Sequence, residues 1–388
     1  MSEVRVNNLS NENNTGGPTI SGITTYSGTH FFVPPQGTTA ERPENCEPGS
    51  LRFNTESRKL EYFRGSEIGW MEIEASNHEM GGGTTSSNQN SLGSRAIMGG
   101  GHVYNRTIEY FTVSTFGDSQ DFGDLTEAAG YSTGKTASTE TRALFAGGYY
   151  KNAIEFVTYQ TTGNAIDFGD LTYPRLHCSS CNDTIRGVWS GGQGPGHTTV
   201  NIMDYVTIST TGNALDFGDI AKAKTVLSSC CSTTRGFVQH SNNPTSPVGV
   251  FETFIIRTTG NPTEFGDALH FQQVFGGASN ATRGIFAGGY IGNNIQYITM
   301  ATTGDAVEFG DLINRGYNHA AATSNTRACF CFYNDYVPDP AGTVKLNVIQ
   351  SVQFVTLGNA VDFGDLAYIT NDNTQLPQGG SNQHGGLA

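Results

Sequence analysis

The sequence predicts an all-β protein: a six-bladed β-propeller over residues 91–388, preceded by a small N-terminal β module over residues 1–75. Three observations predict it. The tripeptide Phe-Gly-Asp recurs six times, starting at Phe122, Phe168, Phe217, Phe265, Phe309 and Phe363, at intervals of 46, 49, 48, 44 and 54 residues. Such a period marks a repeat architecture. Each period holds four short runs of strand character, the content of a propeller blade, and hardly any segment has a helical period. The 50 glycines and only 14% charged residues fit a turn-rich β-protein better than a metabolic enzyme.

Within one period the elements follow in order. First comes a stretch of small residues, such as Cys178-Ser179-Ser180-Cys181 or Ala320-Ala321-Ala322-Thr323. Small side chains suit an innermost strand, where blades crowd together. An Arg then opens the second strand, as in Arg142-Ala143-Leu144-Phe145-Ala146 and Arg283-Gly284-Ile285-Phe286-Ala287. A double glycine closes that strand in four copies, whereas the copies at Arg235 and Arg327 lack it. Third strands such as Ile154-Glu155-Phe156-Val157-Thr158 alternate and are rich in β-branched and aromatic residues. A turn follows, for example Thr162-Gly163-Asn164, whose Gly-Asn pair tolerates positive φ. Phe-Gly-Asp lies in the fourth strand. The tail from Ser381 to Gly386 looks like the start of a seventh unit, so the C-terminal strand is expected to complete the first blade. The alternative is that residues 81–90 supply that strand. Residues 76–90, rich in Gly, Ser and Asn, read as a linker.

The double glycine resembles that of kelch-type propellers. The resemblance covers roughly residues 90–388 and implies a kelch-like β-propeller. The Tyr and Trp positions of the kelch signature are only loosely matched.

One Arg and one Asp recur in every unit, six of each, among them Arg142, Arg186, Arg235, Arg283 and Arg327, with Asp170, Asp219, Asp267, Asp311 and Asp365. A residue repeated in every blade usually serves the blade. The expected role is structural, as salt bridges or backbone-capping contacts that lock blade to blade. An Arg cluster binding an anion is the competing reading. The acid preceding each motif (Asp121, Asp167, Asp216, Glu264, Glu308, Asp362) shows no calcium-loop pattern and reads as a solvated edge charge.

The net charge is −14, with no basic run, so nucleic-acid binding is disfavoured. No apolar stretch is long enough to span a membrane, and Met1-Ser2-Glu3-Val4 does not open a signal peptide. Seven cysteines exclude complete internal pairing. Cys178 and Cys181 beside His177, with Cys230 and Cys231 one repeat on, leave a zinc site open. Buried thiols acting as small apolar residues are the favoured reading. No cofactor or metal is expected.

The N-terminal stretch reads as a small β-meander, with strands at 50–54, 59–63 and 70–74. It holds too little core to stand alone. Val33-Pro34-Pro35-Gln36-Gly37-Thr38-Thr39-Ala40-Glu41-Arg42-Pro43 precedes it, Gly49-Ser50-Leu51-Arg52-Phe53-Asn54-Thr55 opens it, and Trp70 stands near its end. These motifs resemble a module of fibre and other virion structural proteins of tailed phages, especially those infecting marine cyanobacteria. The resemblance covers about forty residues. Ser66-Glu67-Ile68-Gly69 lengthens the turn before Trp70 relative to that pattern. It implies a virion component made in the host cytoplasm, anchored to other virion proteins through residues 1–75, with Arg42, Phe53, Tyr62 and Trp70 as anchoring-module residues. It also implies a homo-oligomer, commonly a trimer.

The expected function is therefore a tail-fibre-like appendage whose propeller loops bind a host surface glycan or protein. The alternative is a purely structural virion component, in decoration, baseplate or tail. Irregular loops break the repeat symmetry and carry the candidate binding residues His197, Asn242, Asn243, Tyr336 and Asp339. No enzymatic activity is expected. Asp335 and Asp339 are the only nearby acid pair outside the repeats, and the prolines around them favour a loop over a catalytic pair.

Overall fold

A computed structural model describes residues 34–44, 46–57, 59–73, 94–100, 105–127, 134–225, 228–240, 249–270, 276–289, 292–314, 320–331, 334–336, 343–345, 347–367 and 378–387. It is all-β, built mainly of four-stranded antiparallel sheets, and divides into two compact units, Met1–His78 and Glu79–Ala388. No helix among the described residues is long and apolar enough to cross a membrane.

The N-terminal unit is a four-stranded sheet. Gln36–Gly37 runs parallel to Leu51–Asn54, which continues antiparallel into Lys59–Phe63 and Trp70–Glu72. Register places Arg52 opposite Glu61 and Glu61 opposite Glu72 on one face, where Arg52, Asn54, Glu61 and Phe63 are buried. The period-two alternation of strands sends Leu51, Phe53, Leu60, Tyr62, Met71 and Ile73 to the other face. Leu51, Met71 and Ile73 are exposed there.

The C-terminal unit contains six sheets whose strands follow the repeat. Sheet one joins Gln378–Ser381, Arg95–Gly99, Thr107–Thr112 and Gln120–Asp124. Its first strand thus comes from the far end of the chain, in register Gln378 with Gly99 to Ser381 with Ala96. Gly134–Lys135 adds a fifth, parallel strand. Sheet two joins Ala137–Ser138, Arg142–Ala146, Ala153–Thr158 and Ile166–Asp170. Sheet three joins Ser179–Asn182, Arg186–Ser190, Ile202–Thr207 and Leu215–Asp219. Sheet four joins Ser228–Cys231, Arg235–His240, Val250–Ile255 and Thr263–Asp267. Sheet five joins Gly276–Ser279, Arg283–Ala287, Asn294–Thr299 and Val307–Asp311. Sheet six joins Ala320–Thr323, Arg327–Cys331, Val348–Gln353 and Val361–Asp365. Connections after the second and fourth strands leave one end of each sheet, the loop end. Those after the first and third leave the other, the turn end.

Phe-Gly-Asp is a β-bulge. In every sheet the pairing of third and fourth strands shifts register by one residue at this tripeptide, as between Ile154 and Glu155. The Phe side chain turns into the core between sheets and is buried in all six copies. The Gly has φ between 146° and 155° in five of them. A Cβ there would lie no further than 2.8 Å from the carbonyl of the Gly in the next sheet's turn. Glycine is therefore required twice, by backbone conformation and by close approach.

The same set of hydrogen bonds joins each sheet to the next. The turn Gly donates to the Phe carbonyl of the preceding sheet at 2.8–3.1 Å, from Gly163 with Phe122 round to Gly117 with Phe363. The neighbouring Asn or Asp side chain accepts the N–H of the motif Asp, as Asn213 Oδ1 does from Asp170 at 3.1 Å and Asp118 Oδ1 from Asp365 at 2.9 Å. In five junctions a further N–H reaches the carbonyl of the motif Asp. At Asp219 the aligned residue is Pro262, which has no N–H to give. These contacts run from sheet one through sheet six and from sheet six back to sheet one.

Candidate functional site

Each repeat Arg reaches a backbone carbonyl of the next sheet. Arg95 Nη1 donates to Tyr159 O, Arg142 Nη1 to Ile208 O and Ser209 O, and Arg186 Nη1 to Arg257 O. Arg235 donates to Met300 O, Arg283 to Phe354 O and Val355 O, and Arg327 to Val113 O. Each guanidinium also lies over an aromatic ring, from 4.4 Å for Arg95 on Tyr110 and Arg186 on Tyr205 to 5.4 Å for Arg235 on Phe237. The Arg thus caps carbonyls that end the third strand of its neighbour. The Asp170, Asp219, Asp267, Asp311 and Asp365 backbones take part in the separate junction described above. The acids preceding the motif are all exposed.

A second polar position in every sheet escapes sequence reading. The third strand carries one buried acid or amide: Glu109, Glu155, Asp204, Glu252, Gln296 or Gln350. Glu155 accepts from Thr126 N and Glu127 N, Asp204 from Thr172 N, and Gln296 from Leu269 N and His270 N. It thereby holds the segment leaving the fourth strand of the preceding sheet. The signal is present in Ile154-Glu155 and Ile295-Gln296, yet the mixture of acid and amide obscures it.

The loop end of sheets two and three carries an aromatic ledge. Gly147 and Gly148 close the second strand of sheet two, and Tyr149 and Tyr150 follow. Gly147 has φ 72°, and a Cβ there would meet Arg175 O at 2.6 Å, so the double glycine lets the segment between sheets pass underneath. Gly148 N donates to Arg175 O at 3.2 Å and Arg175 N to Lys151 O at 3.1 Å. Beneath them Arg175 is fully buried, with Nη1 3.0 Å from Asp204 Oδ2. Tyr150 and His197 both hold positive φ, 59° and 61°. Such strained non-glycine positions concentrate at functional sites. Tyr150 Oη lies 3.1 Å from His197 Nδ1, and the rings of Tyr149 and Tyr150 are 5.4 Å apart. Tyr149 is 47% exposed. Lys151 pairs with Glu127 beside the ledge. His177, near the loop end between sheets two and three, also has positive φ, 59°, and burial of its ring pulls its pKa down to about 4.

The junction of sheets three and four is polar at the same end. Val188 and Val238 face each other in one apolar cluster. Alternation places Ser190 and His240 on those same faces, with Ser179 paired to Ser190. His240 Nε2 lies 3.3 Å from Glu252 Oε1. Among the described residues, the buried hydroxyls of Ser179 and Ser190 have no hydrogen-bond partner, and neither polar atom of Gln239 on the opposite face has one.

Of the loop residues expected to bind, His197 stands in this ledge. Asn242, Asn243 and Asp339 lie outside the described residues. Tyr336 ends the strand Asn334–Tyr336, paired with Thr343–Lys345, and its side chain lies outside them too. In the N-terminal unit Arg42 pairs with buried Glu61, which also accepts from Asn54 Nδ2 at 2.8 Å. Trp70 Nε1 donates to Pro43 O at 3.3 Å, with Arg52 5.7 Å above its ring. Phe53 and Tyr62 lie on the apolar face. The cysteines are all free, and six of the seven are buried. Burial pushes the Cys178, Cys329 and Cys331 thiols up, so they stay protonated at neutral pH. Among the described residues no three His, Cys, Asp or Glu side chains converge as a metal site. No protein-family model matches the chain, and no curated protein matches it significantly.

Proposed function

We propose that this protein is a tail-fibre-like appendage of a tailed phage particle. Its N-terminal unit docks to the particle and its C-terminal unit, a six-bladed kelch-like propeller, binds a host surface glycan. The observation that carries the reading is the ledge of Tyr149, Tyr150 and His197. It sits at the loop end of the sheets, and Tyr150 and His197 hold positive-φ backbone that a repeat scaffold alone does not require. Flat exposed rings with hydroxyl and imidazole groups between them fit a sugar, whose apolar face stacks while its hydroxyls hydrogen-bond. The cyclic run of like sheet junctions supports the propeller. The apolar face of the N-terminal sheet supports docking, since it carries six apolar side chains and leaves Leu51, Met71 and Ile73 exposed.

The test is adsorption of particles carrying this chain without residues 79–388. Loss of adsorption, with free propeller competing against intact particles, is the expected result. Particles that adsorb normally, with the C-terminal unit wedged among other virion proteins, would make the chain a structural component instead.

A further inference from the structure

At the turn end, opposite the ledge, sheets two and three border a cavity of about 430 Å³. That volume lies within the range of small-ligand sites, roughly 300–1,000 Å³. Glu140 and Arg142 line it from the turn that opens the second strand of sheet two, and Thr184 from the same turn of sheet three. Ile208 and Ser209, which follow the third strand of sheet three, and Leu387 of the C-terminal tail complete the wall.

The Arg and the carbonyls it caps belong to every sheet junction. Two residues set this one apart. The position two before the Arg holds Gly93, Glu140, Thr184, Thr233, Ala281 and Asn325 in sheets one to six, so an acid stands there only once. Leu387 belongs to the single tail and has no counterpart in the repeat. The junction between sheets two and three therefore adds a negative charge and an apolar side chain to the common cation.

Both charges are open to a ligand. Arg142 Nη1 donates to Ile208 O and Ser209 O, both at 3.0 Å, and the guanidinium lies 4.7 Å over the Phe156 ring. These contacts fix the plane of the fork, while Nε and Nη2 make no hydrogen bond among the described residues. Glu140 is exposed, and only its backbone carbonyl is engaged, by Gln160 Nε2 at 3.3 Å. Its carboxylate and the Ser209 hydroxyl have no partner among the described residues.

Opposite charges on one wall select among ligand classes. An anion drawn to Arg142 meets Glu140, and a simple cation drawn to Glu140 meets Arg142. A neutral sugar leaves both charges without a counter-charge. A molecule with a carboxylate and an ammonium on one carbon answers both. Its carboxylate takes the fixed guanidinium fork and its ammonium donates to Glu140. Its side chain then runs along Ile208 and Leu387, which favours an aliphatic group. We propose that this cavity binds a free α-amino acid with an aliphatic side chain, held by Arg142 and Glu140. The site goes beyond host binding and does not rest on it.

The test is isothermal titration of the full-length protein with L-leucine, leucinamide, N-acetyl-leucine and methyl α-glucoside. L-leucine is expected to saturate the protein with a Kd of about 1 mM or below. Leucinamide, which lacks the carboxylate, and N-acetyl-leucine, which lacks the ammonium, should each bind at least about ten-fold more weakly. In Glu140→Gln the preference for L-leucine over N-acetyl-leucine should fall below about two-fold, while the preference over leucinamide persists. An exposed side chain with no partner leaves the melting temperature of that variant unchanged. Absence of saturation by L-leucine at about 20 mM overturns the proposal. So does methyl α-glucoside binding as tightly as L-leucine, or a Glu140→Gln protein that keeps the full preference over N-acetyl-leucine.

Discussion

Gly163 N–H donates to Phe122 O at 2.8 Å, and its own carbonyl oxygen occupies the place a Cβ on Gly123 would take. The glycine of one sheet's turn and the glycine of the preceding sheet's bulge thus fit only because both lack side chains. The same pair recurs at Gly169 with Gly212. Gly169 and Gly163 have similar φ, 149° and 156°, yet nothing lies within 4 Å of a Cβ at Gly163. Gly163→Ala should cost on the order of 1–2 kcal/mol from backbone strain alone. Gly169→Ala adds the collision with Gly212 O and should cost about 2 kcal/mol more. Thermal unfolding of the two variants measures the difference, and equal melting temperatures would remove the close-approach argument.

Arg283 tests the locking role of the repeated arginines. It bonds two carbonyls of sheet six and stacks on Tyr297 at 4.9 Å. Arg283→Ala should destabilise by about 2 kcal/mol, because carbonyls ending the third strand of sheet six lose a charged donor. Arg283→Lys should recover only part of this, since an ammonium lacks the planar fork that bonds and stacks at once. An alanine variant with unchanged melting temperature would mean that these contacts do not hold the sheets together.

The period, the strands and the need for glycine at Gly123 or Gly169 are legible because they repeat. The destination of the arginines is not. Their partners are carbonyls, and a carbonyl leaves no trace in the residue type that carries it. Pro262 is readable only afterwards, as the one place where a junction N–H is missing. Tyr149 and Tyr150 stayed hidden for the opposite reason. Tyr149 has a counterpart in Tyr290 after Gly288-Gly289, but the Tyr149-Tyr150 pair occurs once, directly after Gly147-Gly148, and no other copy repeats Tyr150. His197 is legible because it sits in an irregular insert, and the strain at Tyr150 that marks its partner is a backbone property with no sequence signature.

Three buried glutamines separate satisfied from unsatisfied amides. Gln350 Oε1 accepts from Ile313 N at 2.7 Å and Gln296 Oε1 from Leu269 N at 2.8 Å, whereas neither polar atom of Gln239 has a partner among the described residues. Gln350→Met should cost about 1–3 kcal/mol by stranding a buried N–H. Gln239→Met removes an amide that gains nothing and should be neutral or stabilising by up to about 1 kcal/mol. Parallel denaturant titrations decide the point, and a large loss in Gln239→Met would place a bound partner on that amide.

In the N-terminal unit the Arg42 guanidinium bonded to Glu61 holds that carboxyl below its usual range. The depressed value fixes the sign of the pH effect. The contribution is fully present above the ordinary carboxylate pKa and is lost as pH falls through the lowered one. Glu61 is buried, so Arg42→Ala leaves its charge with only Asn54 and the facing Arg52 as partners and should cost about 2 kcal/mol. Hydrogen exchange of Leu51–Asn54 reads this in the intact chain. Protection should fall in Arg42→Ala at pH 7, and below pH 4 in the wild type. Strand protection that ignores both changes would show that the pair is not what orders the sheet.

The ledge makes the sharpest demand on the proposed host-binding role. Tyr150 donates to or accepts from His197 and packs on Tyr149, but it is only half-buried and lies outside every sheet junction. Tyr150→Ala should therefore change stability by less than about 1 kcal/mol. If the ring stacks on a sugar, the same change should weaken binding of the purified protein to host cells by at least about ten-fold, on the scale of a hot-spot aromatic. Tyr150→Phe keeps the ring and loses the hydroxyl near His197, so it should fall between the two. Surface plasmon resonance on immobilised host envelope polysaccharide, with a melting curve for each variant, separates recognition from folding. Undiminished binding by a fully folded Tyr150→Ala protein would move the recognition site off this ledge and leave its strained backbone without a ligand to account for it.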